Sequence, residues 1–80
     1  MQQTAIQAGI ITDLLAERAR QDAKWGPRAT PTWSHILSEE HSEAVEAAVR
    51  GNTSALREEL IQVAAVAMAW VEDLDRRETS

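Results

Sequence analysis

Cysteine is absent from the 80 residues, so no disulfide staples the chain and no thiolate can hold a metal. Tyr and Phe are absent as well, and no period-2 run of β-branched residues occurs, which removes the usual signals of a β-strand. No run of Lys and Arg is present and the formal charge is −5, which argues against a partner with a nucleic-acid phosphate backbone. The longest apolar run, Val63 to Val71, is too short to span a bilayer. The first residues, Met1-Gln2-Gln3-Thr4, lack the basic segment of a signal peptide. These absences leave one small cytoplasmic domain with no membrane or nucleic-acid partner. A chain of this size without staples often completes its core by oligomerising.

What remains is rich in Ala, Glu, Arg, Leu and Gln, which favour helix. The few prolines and glycines act as punctuation. Gly26-Pro27 stops a first helix that spans about 4–24, although Gly9 weakens its start and allows one nearer Thr12. Pro31 and Thr32, the latter as N-cap, open a second helix over about 33–50, which Gly51-Asn52 ends. Thr53 or Ser54 caps a third helix over about 54–77, with Glu58 downstream of Ser54. The expectation is an all-α, three-helix subunit occupying 1–80 as a single domain. Between Leu60 and Val71 the third helix has one polar side chain, Gln62. A helix apolar all round is buried all round, and two neighbours in one chain cannot cover it. Leu56, Leu60, Val63, Ala67, Trp70 and Leu74 share one face. Ile61, Ala65, Val66, Met68 and Ala69 then lie on flanks left for a second subunit. Helices two and three are therefore expected to build a four-helix bundle core with a mate, as a homodimer or homotetramer, with Met68 and Trp70 inside the interface.

The informative stretch is Ser38-Glu39-Glu40-His41-Ser42-Glu43-Ala44-Val45-Glu46. With about 100° per residue, Trp33, Ile36, Leu37, Ala44, Ala47 and Ala48 fall on one helix face, and Trp33 reads as core. Glu40 projects into the middle of that arc and Glu43 lies at its edge, while Glu39 and Glu46 lie further round. His35 and His41 point outward, away from any ligand role. A carboxylate inside an apolar arc is either mis-assigned to that face, as part of a charged helix surface, or paired with a cation, or bound to a metal. Folding helices two and three as an antiparallel hairpin puts Glu43 and Glu59 about 12 Å from the turn at 1.5 Å rise per residue. Glu40 then stands level with Gln62. Four oxygen-bearing side chains meeting at one height suit a hard divalent cation, Mg²⁺ first and Mn²⁺ second.

Other residues leave two readings open. Trp25 suits stacking on a nucleobase, with Lys24 or Arg28 neutralising phosphate, or an anchor in a core or interface. Arg18 and Arg20 suit phosphate contact or pairing with the acidic second helix. The charged half of helix one, Glu17 to Lys24, suits a solvated face equally well.

The pattern Glu39-Glu40-x-x-Glu43, fifteen residues, then Glu59-x-x-Gln62 resembles the EExxE…ExxD motif of the all-α nucleoside triphosphate pyrophosphohydrolases, the MazG-like superfamily. The segments Glu17-Arg18-Ala19-Arg20-Gln21-Asp22-Ala23-Lys24-Trp25-Gly26 and Leu60 to Ala67 resemble a short subgroup common in phages and actinobacteria. The resemblance covers about residues 17 to 77. It implies a Mg²⁺-dependent enzyme that cleaves a nucleoside triphosphate to the monophosphate and pyrophosphate, working as a dimer or a dimer of dimers. It assigns catalytic roles to Glu39, Glu40, Glu43 and Glu59, with Glu40, Glu43, Glu59 and Gln62 as metal ligands and Glu39 as a further ligand or the group that orients water. Gln62 departs from the usual Asp and brings no charge. The same pattern therefore also admits a non-catalytic oligomeric module that binds metal and nucleotide through a weakened site, or a purely structural assembly subunit.

Overall fold

The computed structural model describes residues 2–24 and 30–79, all in three helices or the tight turn between the last two. They are α1 (Gln2–Lys24), α2 (Thr30–Arg50) and α3 (Thr53–Thr79), in that order. No described helix is long and apolar enough to cross a membrane. The all-α expectation holds, with each helix longer than read from sequence. α1 runs straight through Gly9, whose missing side chain meets nothing within 4 Å. α2 begins two residues before Thr32, so Thr32 lies inside the helix and Pro31 sits in its first turn, where a missing N–H is no loss.

The α2–α3 connection is local chemistry. The Gly51 N–H donates to the Ala48 carbonyl and the Asn52 N–H to the Ala47 carbonyl, both at 3.1 Å, which is the Schellman pattern with Gly51 at the left-handed position, φ 72°. Asn52, rather than Thr53 or Ser54, caps α3: its Oδ1 accepts from the Ala55 N–H at 3.1 Å. The two-residue turn fixes the register of the two helices. A Cβ on Gly51 would meet nothing within 4 Å, so only the positive φ resists substitution. Gly51→Ala is expected to cost about 1–2 kcal/mol. Thermal unfolding should show a Tm about 4–8 °C lower per kcal/mol, with helicity at low temperature unchanged.

α3 is the central element. α1 and α2 pack against it, and no α1–α2 pair of Cα atoms lies within 8 Å among the described residues. The core between α2 and α3 is small: Trp33, Val66 and Ala69, with Ile36, Leu37 and Trp70 against them. The Trp33 Nε1–H donates to Asp73 Oδ2 at 2.6 Å, and Asp73 also accepts from Arg76. This buried carboxylate is thereby bonded to both a neutral and a charged donor.

The face of α3 turned inward is not the one expected. Ala65, Val66 and Ala69 are fully buried within the subunit, and Trp70 packs on its own Trp33 cluster. Leu60, Val71 and Leu74 are exposed, and so is Ala67. The reason is steric. Ala65 and Ala69 let the neighbouring helices approach closely, and Asp73 supplies the acceptor that Trp33 requires. Bulkier Leu60 and Leu74 stand on the far side.

Candidate functional site

At the level where α2 and α3 lie side by side, Glu40, Glu43 and Glu59 converge. One carboxylate oxygen from each lies within 4.8 Å of the others. Glu40 and Glu59 are half-buried and Glu43 is exposed. The level pairing expected across the hairpin is realised: Glu43 and Glu59 bring carboxylate oxygens within 4.8 Å of each other. With its amide assigned so that the NH₂ faces the carboxylates, Gln62 donates to Glu40 Oε2 at 2.7 Å and Glu59 Oε2 at 3.3 Å.

Crowded negative charge shows in the titration of the group. Burial, the hydrogen bond to Glu43 and the charges of Glu43, Glu40 and Glu58 push the Glu59 carboxyl up to about 7. Glu40 is also raised, first by burial and then by Glu43 and Glu17, with Lys24 opposing. Without a cation the cluster relieves itself by holding a proton and by accepting from the Gln62 amide.

Two residues of α1 belong to this site and were not singled out by sequence. The Glu17 side chain is 13% exposed and its charge acts on Glu40. Arg20 holds Glu17 from one side, and the Gln21 Nε2–H donates to Glu17 Oε2 from the other at 3.4 Å. Gln21 is buried and also donates to the Gln62 carbonyl at 3.4 Å, tying α1 to α3 at the cluster. Glu17, Gln21 and Lys24 recur at i, i+4 and i+7, so one helical stripe lay within the stretch read as a solvated face. A cavity of about 170 Å³ opens between this stripe and the cluster, lined by Glu17, Arg20, Gln21, Lys24, Glu40 and Gln62.

Other sequence expectations divide. Lys24 lines that cavity. Trp25 and Arg28 lie outside the described residues. The Glu39 side chain is 61% exposed, 3.4 Å from His35 Nε2, and stands apart from the three converging carboxylates. It reaches the site only through its charge, which adds to the rise of Glu40. Arg18 neither faces the cavity nor pairs with α2: it is buried and bonded to Glu72 of α3 and, at 2.8 Å, to Asp22. Arg20 pairs with Glu17.

The donor set fits a hard divalent cation. Three carboxylates offer oxygen at one point, and an amide beside them offers a fourth once it turns its oxygen inward. Acidic groups cluster on many helix surfaces without an ion. What distinguishes this cluster is that two of its members are half-buried and that Glu59 holds a proton near neutral pH. No family model, curated protein or solved structure matches the chain.

Proposed function

We propose that this chain is a divalent-cation-dependent nucleoside triphosphate pyrophosphohydrolase that works as a homo-oligomer. The observation that carries the reading is the convergence of Glu40, Glu43 and Glu59 beside Gln62, from the two motif segments that resemble the MazG-like pattern. Glu40, Glu43 and Glu59 hold the cation, Mg²⁺ or Mn²⁺. When bound, it supplies positive charge to the triphosphate and draws electron density from the phosphoryl oxygens. A cation there would require the Glu59 carboxyl to lose the proton it holds near neutral pH, and Gln62 would serve as a ligand only through its amide oxygen. Lys24, on the wall of the adjoining cavity, neutralises phosphate charge. Glu39 stands apart from the three carboxylates and acts on the site through its charge on Glu40. Release of pyrophosphate from a panel of ribo- and deoxynucleoside triphosphates with Mg²⁺ tests the reading. Turnover of at least one triphosphate, lost with chelator, is the expected result.

A second reading rests on Gln62. The neutral amide leaves the donor set one charge short of four carboxylates, which suits an oligomeric module that holds a metal–nucleotide without cleaving it. Calorimetric binding of a metal–triphosphate with no pyrophosphate release would favour that module. Gln62→Asp is expected to tighten Mn²⁺ binding by about 10-fold. Unchanged or weaker affinity would place the side chain outside the coordination sphere.

The mate subunit in this reading lies against α2 and α3. Val45 and Val49 of α2 and Leu60, Val71 and Leu74 of α3 are bare on the single protomer.

A further inference from the structure

A second, larger cavity of about 310 Å³ lies between α1 and α3, next to the one that holds Lys24. The two share Glu17, Arg20 and Gln62, so they form neighbouring compartments of one cleft. The lining changes character away from the carboxylate cluster. Ala16 of α1 and Ile61 of α3 supply apolar surface. Arg57 is held by Asp13 across the two helices at 2.9 Å, and Arg20 is held by Glu17. With Glu58 the wall carries three carboxylates and two guanidinium groups. That balance is net negative, so this compartment does not attract another phosphate. Flat guanidinium planes, an apolar surface and carboxylate acceptors are instead what a heteroaromatic ring uses, through stacking and edge hydrogen bonds.

We infer that the Asp13–Arg57 compartment between α1 and α3 receives the nucleobase of the substrate. The inference rests on the proposed nucleoside triphosphate reading and adds a base subsite to it. The phosphates lie toward Glu40 and Lys24, and the base extends past Glu17 and Gln62 over Ala16 and Ile61. Along α1 the distance from Lys24 to Asp13 is about 16 Å at 1.5 Å per residue, long enough to separate the phosphate end from the base end. A third cavity, beside Arg50 and Asn52, touches the cluster from the turn side, but its only apolar lining is Ala47 and Ala55.

Ala16 is exposed, so Ala16→Trp fills the compartment without loading the core. Three titrations with Mn²⁺ present separate the possibilities: ATP, CTP and base-free inorganic triphosphate. Mn²⁺ alone and far-ultraviolet circular dichroism serve as controls. Ala16→Trp is expected to weaken ATP and CTP by about 10-fold or more, the loss of one well-filled contact. It should leave inorganic triphosphate and Mn²⁺ within about 2-fold, a shift too small to count as a lost contact. Asp13→Asn, which keeps the shape and removes a charged acceptor, should change the ATP-to-CTP ratio but not inorganic triphosphate. Equal weakening of nucleotides and inorganic triphosphate, or no weakening of either, would overturn the base subsite and leave the phosphate reading standing. A base-selective loss produced by Trp25→Ala but not by Ala16→Trp would do the same. Wild-type protein that binds Mn²⁺ but none of the three phosphates would overturn both.

Discussion

Glu40→Gln and Glu59→Gln are each expected to remove cation-dependent turnover, by more than about 100-fold, while making the metal-free protein more stable. The two effects have one origin. Each substitution takes away a donor oxygen the cation needs, and each takes away a charge that the other carboxylates resist. For Glu59 the sign with pH follows directly. Its folded value is about 7, and its unfolded value is that of an ordinary Glu, about 4.3. Between those values the folded chain retains a proton that the unfolded chain has released. The stability of the metal-free protein therefore falls as pH rises from about 4.5 to 7 and levels off above. A cation binds the deprotonated cluster, so its stabilising increment grows across the same window. Thermal melts from pH 5 to pH 8, with and without Mn²⁺, read both trends. In Glu59→Gln the falling limb should shrink to what the raised Glu40 contributes, and Mn²⁺ should shift Tm little. Variants with wild-type turnover, or a wild-type Tm that ignores Mn²⁺ at pH 8, would remove the cation site.

Much of this cluster was legible before any coordinates because it depends on two local quantities. One is the 100° rotation that places Glu40 inside an apolar arc, and the other is the short Gly51-Asn52 turn that fixes how far each acid lies from the hairpin end. Both survive any tertiary detail, and the Glu43–Glu59 and Glu40–Gln62 pairings follow from them. Glu17 and Gln21 were not legible. Their relevance depends on the angle at which α1 crosses α3, and nothing in the 17–24 stretch distinguishes a charged stripe that faces a site from one that faces water. The orientation of α3 failed for a related reason. A helix apolar on every side has no periodic signal to choose its inner face. The choice fell to small Ala65 and Ala69 and to the Trp33–Asp73 hydrogen bond, which a count of large side chains overlooks.

That reversal sharpens the expected assembly. With Ala65, Val66 and Ala69 covered inside the subunit, the bare residues of α3 are Leu60, Ala64, Ala67, Val71 and Leu74. Their spacing is 4-3-4-3, the repeat of a coiled-coil seam, about 21 Å long at 1.5 Å per residue. Apolar residues three or four apart stay on one side of a helix, so the stripe is continuous. It is also nearly its own complement: about a two-fold axis near Ala67, Leu60 stands level with Leu74 of a second copy, and Ala64 comes within one residue of level with Val71. The protomer is open: it exposes 5633 Å², whereas a monomer of this mass exposes roughly 4800 Å², and the bare first half of α1 shares in that surplus with the α3 stripe. Its radius of gyration, 13.8 Å, also exceeds the roughly 12 Å of a compact chain of this length. Sedimentation equilibrium at micromolar concentration is expected to show a dimer or tetramer and no folded monomer. Ala67→Glu places two like charges against each other at the axis without disturbing the protomer, since Ala67 is exposed and Glu is a good helix former. It should weaken self-association by about 100-fold or more, and the variant should melt at a lower temperature, while the wild-type Tm rises with protein concentration. Met68→Glu is the lesser test, because Met68 is already half-buried in its own subunit. Ile6→Ser with Ile10→Ser probes the other bare apolar row, on the first half of α1. Assembly that survives Ala67→Glu but is lost in the α1 double variant would move the interface from the α3 seam to the α1 arm. A wild-type chain that sediments as a folded monomer would abolish it.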